Sequence, residues 1–183
     1  MKKMVLVFVF GVGRLVLGSE LPLGFSAPDM VKNEKITITW SEQKKGTVVV
    51  FLASTCPCCL GHEQRLKTLA QRFKDFKFVG VHSNKNENEQ EAQNFFKKTN
   101  FPFVVLNDVN QSIANAFGAL KTPHVFIVSP KGKIIFEGGV DESTLAVNAK
   151  KHYLEDALNQ IEQGKSPNPN IVKTLGCAIK RIK

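Results

Sequence analysis

The fold is decided by the stretch Thr47-Val48-Val49-Val50-Phe51-Leu52-Ala53-Ser54-Thr55-Cys56-Pro57-Cys58-Cys59. Its first seven residues form a continuous β-branched and apolar run, which is typical of a central strand buried on both faces. Apolar residues then recur at helical spacing over residues 59–73, which predicts an amphipathic helix. The cysteines therefore lie where a buried strand ends and a helix begins.

Cys56 and Cys59 have the Cys-x-x-Cys spacing, which lets two sulfurs meet when the second lies one helical turn after the first. We expect Cys56 to be exposed at the helix N-terminus. Unpaired backbone N–H groups and the positive end of the helix dipole stabilise a thiolate there. A thiolate so placed is a nucleophile for disulfides.

Composition narrows the classes of protein to which the chain could belong. A chain of 183 residues can bury one core, so we expect a single domain of roughly 140 to 150 residues with end segments. Its four cysteines are too few for a disulfide scaffold, and the clustering of three points to chemistry or metal. The net charge of +9 is spread among acidic residues, which favours a solvated surface over nucleic-acid binding.

The N-terminus is typical of an export signal. Lys2 and Lys3 precede an apolar run over residues 4–13, and a cut before Ser19 would remove residues 1–18. The run is too short to span a bilayer, and Arg14 interrupts any longer one. We therefore predict a cleaved signal peptide and an exported, periplasmic protein, whose cysteines meet an oxidising compartment.

Strands and helices alternate along the rest of the chain. Residues 20–34 are mixed and turn-like, and Lys131-Gly132 predicts a hairpin turn. The predicted strands cover residues 35–40, 47–53, 76–82, 101–106, 122–128 and 133–137, and the predicted helices cover 59–73, 87–98, 111–117 and 153–163.

A C-terminal tail, residues 165–183, carries the fourth cysteine, Cys177. Gly164 and the Pro167 and Pro169 that follow it break the last predicted helix. Because the tail contains several apolar residues, we expect it to pack back on the body. That packing gives Cys177 a route to the other cysteines.

These features together resemble the thioredoxin superfamily. The resemblance rests on a buried strand that ends in Cys-x-x-Cys, on Thr122-Pro123 opening a later strand, and on the hairpin after it, and it covers residues 25–163. The long segment between Cys56 and Pro123 is similar to the exported redoxin branch, which includes cytochrome-maturation thioredoxins and peroxiredoxin-like proteins. The resemblance implies an α/β thioredoxin-like redoxin domain at residues 19–164. Its central mixed β-sheet would be flanked by helices, with an N-terminal extension and an extra strand-helix insertion.

The resemblance also implies roles for individual residues. Cys56 would be the attacking thiolate and Cys59 the thiol that resolves the mixed disulfide by ordinary thiol exchange. Pro123 would be a cis-proline beside the pair, and Thr122 and Pro123 would hold substrate main chain. The implied function is thiol-disulfide exchange with protein thiols and an unidentified redox partner, without a cofactor. The direction of exchange and the oligomeric state are left open.

Several positions depart from the superfamily's pattern. Val50 stands where many thioredoxins have a buried Asp that manages protons, and Thr55 replaces the usual aromatic residue. Proton transfer would then use water or a nearby group such as His62, Glu63 or His124.

Two alternative functions follow from other features. The ending from Gly176 to Lys180 resembles the close of peroxiredoxin-like proteins, but neither Cys56 nor Cys59 has the upstream threonine that peroxide binding needs. A copper(I) chaperone is the other alternative, because thiolates and imidazoles suit copper(I). The residues that could converge on such a metal are Cys56, Cys58, Cys59, His62 and His124. Cys58 and Cys177 are also candidates for an accessory or resolving thiol. Cys58 could form a vicinal disulfide with Cys59, pair with Cys177, or be a small residue at the helix start with no redox role.

Overall fold

The computed structural model of the protein describes residues 21–182, so the predicted signal segment 1–18 lies outside the described residues. The strands are β1 (Gly24–Pro28), β2 (Lys35–Thr39), β3 (Gly46–Leu52), β4 (Phe76–His82), β5 (Val105–Asn107), β6 (Lys121–Thr122), β7 (His124–Val128), β8 (Ile134–Gly138) and β9 (Cys177–Ala178). The α-helices are α1 (Pro57–Arg72), α2 (Glu89–Thr99), α3 (Ser112–Phe117) and α4 (Tyr153–Glu162), and two short 3-10 helices cover Trp40–Glu42 and Ala146–Asn148.

The central sheet contains five strands in the order β5-β4-β3-β7-β8. β3 pairs parallel with β4 and antiparallel with β7, so the sheet is mixed. Helices connect the parallel strands, as such crossovers require. The prediction of an α/β fold with a central mixed sheet flanked by helices is confirmed.

All seven residues of β3 are buried, because the strand lies in the middle of the sheet with packed layers on both faces. Val48, Val50 and Leu52 belong to one core cluster, which also contains Cys56 and Cys59. The alternate residues Val49 and Phe51 belong to the cluster on the other face. This two-residue alternation fixes the register of β3 in the sheet. It therefore also fixes the edge of the sheet at which β3 ends and the cysteines follow.

The structure corrects two sequence expectations about strands. Residues 20–34, predicted to be turn-like, contain β1, which pairs antiparallel with β2 along its whole length. The strand predicted at 101–106 is instead Val105–Asn107. Pro102 lacks a ladder donor, and Phe101 and Phe103 stack on one another with ring centroids 4.8 Å apart.

The hairpin between β7 and β8 forms as predicted around Lys131-Gly132. Gly132 has a φ of +77°, a left-handed conformation that favours glycine in the turn. After α4 the tail runs along β8 and then reaches β6. The strand β9, which belongs to the tail, pairs antiparallel with β6. Within residues 21–182 no helix is both long enough and apolar enough to cross a membrane.

Candidate active site

The helix that carries the cysteines begins at Pro57, so Cys56 is its N-cap and Cys59 lies in its first turn. The amide N–H groups of Cys59 and Leu60 donate to the carbonyl oxygen of Cys56, at 2.9 and 3.1 Å. The expectation that Cys56 is exposed is wrong, since only 2% of the residue is accessible. Its sulfur is covered because the backbone of Thr122 and the tail cysteine Cys177 lie against it.

Thr122 contacts the Cys56 sulfur through its main chain. The Cys56 thiol donates to the carbonyl oxygen of Thr122, with 3.0 Å between Sγ and O. The Thr122 hydroxyl is buried and has no hydrogen-bond partner of ordinary geometry among residues 21–182, although it lowers the pKa of both Cys56 and Cys59. A hydroxyl so placed is free to donate to a sulfur anion. The peptide bond between Thr122 and Pro123 is cis.

Cys56 and Cys59 have opposite acidities. A hydrogen bond from the Cys59 thiol, followed by weaker ones from Cys177 and Thr122, outweighs burial and lowers the pKa of Cys56 to about 4. Burial raises the pKa of Cys59 well above its ordinary value, and the neighbouring Cys56 anion adds to the effect. Cys56 is therefore the sulfur of the pair that ionises more readily, and on ionising it gives up the hydrogen bond that its thiol donates to the Thr122 carbonyl oxygen.

Cys58 and Cys177 complete the sulfur environment of Cys56. The Sγ atoms of Cys56, Cys58 and Cys177 all lie within 4.8 Å of one another, and we call them the three-sulfur cluster. Burial, with the negative charge of Cys56, raises the pKa of Cys58 and raises that of Cys177 to about 12. All four cysteines are unbridged thiols in the structure.

A buried carboxylate that the sequence analysis did not single out holds the loop before Cys56. Glu87 accepts hydrogen bonds from the backbone N–H and the hydroxyl of both Ser54 and Thr55, and from the His82 ring. Only 2% of its side chain is exposed. Burial alone would raise the pKa of Glu87, but the hydrogen bonds from His82, Ser54 and Thr55 keep it well below its usual range. We call this arrangement the carboxylate clamp.

Glu87 was missed because it is one of several acidic and amide residues in the polar run after β4. The signal that could have found it is its position. The run follows a strand parallel to β3, and the carboxyl ends of parallel neighbours meet at one edge of the sheet. A carboxylate there lies close to the loop that leaves β3.

The structure places the three candidates for proton transfer in other contacts. His62 donates from Nδ1 to the carbonyl oxygen of Cys58, at 2.8 Å, and its Nε2 lies 3.5 Å from the buried Asp141. Glu63 pairs with Lys67 one helical turn away. The metal set of three cysteines with His62 and His124 does not assemble, because among residues 21–182 the grouped ligands are those of the three-sulfur cluster.

His124 lies beside Pro123 at the start of β7. Its Nδ1 accepts from the Leu120 amide, with 3.4 Å between the nitrogens, and its Nε2 lies 3.5 Å from a carboxylate oxygen of Glu137. Burial, reinforced by the positive charge of Lys121, lowers the pKa of His124 to about 4. The ring is therefore neutral at physiological pH.

Comparison with known proteins gives a family and a fold that agree with this geometry. A family model described as Redoxin matches residues 18–157. The chain belongs to the Redoxin family. Among curated proteins, no relative matches the sequence. As a Redoxin member, the protein falls at a general level among the thioredoxin-fold oxidoreductases.

Solved structures extend the match to most of the chain. A hypothetical protein of Sinorhizobium meliloti 1021 superposes with a TM-score of 0.78 at 22% identity, covering 90% of this chain and 94% of that one. An uncharacterised conserved protein of Geobacillus kaustophilus gives a TM-score of 0.74 at 24% identity, with 88% and 89% covered. A secreted Mycobacterium tuberculosis disulfide oxidoreductase gives 0.51 at 21% identity, with 61% and 81% covered. These likenesses show the thioredoxin fold.

Proposed function

We propose that the protein is a thiol-disulfide oxidoreductase that exchanges disulfides with protein clients through Cys56 and Cys59. Cys56 attacks the client disulfide, and Cys59 resolves the resulting mixed disulfide. The observation that carries this proposal is the placement of two thiols: Cys56 lies at the N-cap of α1 against the Thr122 carbonyl and the cis Thr122-Pro123 bond, and Cys59 is buried in the first turn. The pKa of Cys56 is lowered to about 4, and that of the buried Cys59 is raised. The first can attack at neutral pH, and the second waits as a thiol until the mixed disulfide forms.

Thr122 and Pro123 are the proposed substrate-binding residues. The Thr122 carbonyl lies 3.0 Å from the attacking sulfur, so a client strand that pairs with this backbone would bring its own sulfur close to Cys56. The secreted mycobacterial neighbour is described as a disulfide oxidoreductase, which agrees with a protein disulfide as substrate.

Export is the second part of the proposal. The basic and apolar pattern before Ser19 is typical of a cleaved signal, and a secreted neighbour has the same fold. We therefore place the protein outside the cytoplasm, in the periplasm, where disulfides of client proteins persist. Mass spectrometry of the protein from its periplasmic fraction would test this, with an N-terminus at Ser19 as the expected result.

Reduction of insulin by dithiothreitol tests the activity. The protein is expected to accelerate the reaction, and Cys56→Ser is expected to return it to the uncatalysed rate. Cys59→Ser is expected to accumulate mixed disulfides at Cys56, detected by non-reducing gels and peptide mapping. Gln71→Ser, exposed on α1, is the matched control and should keep the rate. An unchanged rate in Cys56→Ser would overturn the proposal.

The three-sulfur cluster supports one second candidate function, the binding of copper(I). Three sulfur ligands within 4.8 Å suit a soft monovalent ion. Anaerobic titration of the reduced protein with copper(I) should then show one tight equivalent that Cys177→Ser removes and His124→Gln retains. Tight binding that survives Cys177→Ser would contradict a site built on the cluster.

A further inference from the structure

The tail is held on the body on both sides of Cys177. Before it, the Val172 amide donates to the Glu137 carbonyl oxygen at 3.0 Å, in register with β8. After it, the Ile179 amide donates to the Leu120 carbonyl oxygen at 2.9 Å, and the Ile179 side chain is buried. Cys177 therefore occupies a defined position in the structure.

That position is opposite Thr122. β9 pairs antiparallel with β6, and Thr122 and Cys177 are partners in the register. The tail thus covers the backbone that the proposed function assigns to the client strand, in the extended form a client would take. It occupies this edge as an intramolecular peptide.

Gly176 allows the close approach. A Cβ at this residue would lie 2.2 Å from the Thr122 carbonyl oxygen and 3.3 Å from the Pro123 nitrogen. Real Cβ atoms do not approach backbone that closely, so any side chain at 176 would push the tail away from β6. The residue before Cys177 must therefore be glycine for this pairing.

The pairing brings two cysteines to one residue, Thr122. The Cys56 thiol bonds to Thr122, and Cys177 is the register partner of Thr122, so both approach the same residue from different elements. Their Sγ atoms lie within 4.8 Å of one another, and a disulfide bond of about 2 Å requires them to move closer. The Cys58 sulfur also lies within 4.8 Å of Cys56, but Cys58 belongs to α1 and is not a register partner of Thr122.

We propose that residues 176–179 act as a built-in substrate strand and that Cys177 forms a reversible disulfide with Cys56. The inference rests on the proposed function, since it uses the same attacking sulfur. It adds a third redox thiol and an internal competitor for the client site.

The exchange balances without a further reagent. The Cys56 thiolate attacks a client disulfide, one client thiolate leaves, and a mixed disulfide joins Cys56 to the client. Cys177 then attacks the Cys56 sulfur, the Cys56–Cys177 bond forms, the bond to the client breaks, and the proton of Cys177 passes to the departing client sulfur. The client disulfide gains two electrons, and Cys56 and Cys177 lose them. Attack by Cys59 on Cys56 later releases Cys177 as a thiol.

The test uses the full chain with Cys58→Ser and Cys59→Ser, which leaves Cys56 and Cys177. Oxidised glutathione should convert it to a monomer lighter by two hydrogens, and peptide mapping should join the segments that contain Cys56 and Cys177. Adding Gly176→Val should slow bridge formation about tenfold or more, because the paired geometry is lost. Lys173→Val, which adds the same side chain at an exposed position of the tail outside residues 176–179, is the matched control.

Glutathione adducts on both sulfurs without a bridge would overturn the inference. If the double variant does not fold, limited oxidation of the wild-type protein decides the same question, since mapping must then show a Cys56–Cys177 bridge beside the Cys56–Cys59 bridge. Insulin reduction separates the two proposals. Turnover without the bridge contradicts only the built-in strand, and a bridge without turnover contradicts only the client activity.

Discussion

Two segments flank Cys56 and are held in different ways. On one side, the carboxylate clamp fixes Ser54 and Thr55 through four hydrogen bonds to one buried anion. On the other side, the tail contacts Thr122 through a two-residue strand and the close approach of Gly176. Hydrogen bonds to a buried charge are among the costliest to break, whereas a short strand of neutral bonds is easily exchanged.

The difference separates a permanent support from a replaceable one. The clamp fixes the backbone that leads into Cys56 and so fixes where the sulfur lies. The tail covers that sulfur with groups that a client strand can replace one for one. The attacking sulfur of a redox site must be held in place and must also be reachable by its client. Here the clamp holds the sulfur in place from one side, and the replaceable tail lies on the other side.

The largest expected effect concerns the sulfur between the two segments. At pH 6, Cys56 should react with iodoacetamide about a hundredfold or more faster than Cys58 or Cys177, because its pKa is lowered to about 4 while theirs are raised. Peptide-resolved alkylation across a titration measures this. A Cys56 rate that rises only above about pH 8, where an ordinary thiol ionises, would contradict it.

Glu87→Ala should show what the clamp contributes. Its loss leaves the Ser54 and Thr55 donors and the buried His82 without their acceptor, at a cost of roughly 3 kcal/mol in the free energy of unfolding. Urea unfolding of the reduced protein is the measurement. Glu91→Ala in the first turn of α2 is the matched control, and equal losses in both variants would remove the distinction between the two segments.

The carboxylate clamp and the region beside the tail should also differ in how their contribution to the free energy of unfolding depends on pH. His124, which accepts from Leu120 beside the tail, has a pKa lowered to about 4 in the folded protein from an ordinary 6.5. Between these values the unfolded chain binds a proton that the folded one does not, so stability falls as the pH drops from 6.5 to about 4, by roughly 3 kcal/mol.

The pKa of Glu87 is lowered, so its contribution is present above the unfolded carboxyl value and is lost only as the pH falls below it. Unfolding free energies measured at pH 7, 5 and 3 separate the pH range in which His124 acts from the range in which Glu87 acts. His124→Gln should remove the loss between pH 7 and 5, and an unchanged profile in that variant would assign the loss to another group.

Lys121→Ala should have the smallest effect. It removes one hydrogen bond to the Thr174 carbonyl oxygen, at 3.0 Å, and the positive charge that lowers the pKa of His124. We expect a loss of about 1 kcal/mol or less and a rise in the His124 pKa, measured by NMR titration. Lys131→Ala, in the hairpin turn, serves as the control for a lost lysine, and a His124 pKa that shifts equally there would contradict the local cause.

Long periodic segments were predictable from the sequence, and contacts that depend on tertiary placement were not. β3, α1 and the β7–β8 hairpin follow from local patterns of apolar residues and turn chemistry. β1 was missed because Gly24–Pro28 has no alternating pattern, and its strand form depends on pairing with β2.

The candidate site shows the same division. The spacing of Cys56 and Cys59 is local and readable, so the pair could be named from the sequence. The burial of Cys56 and the grouping with Cys177 depend on a tail more than a hundred residues away in the chain. Glu87 follows β4 and contacts the loop after the neighbouring strand β3, 33 residues away in the chain, and no local pattern marks it.

The burial of Cys56 has a kinetic consequence. Because only 2% of the residue is accessible at rest, a large partner meets the sulfur only after the last residues of the chain lift from Thr122. At high partner concentration the observed exchange rate should then level off at a first-order limit set by that lifting. Small alkylating reagents, which need less room, should show no such plateau.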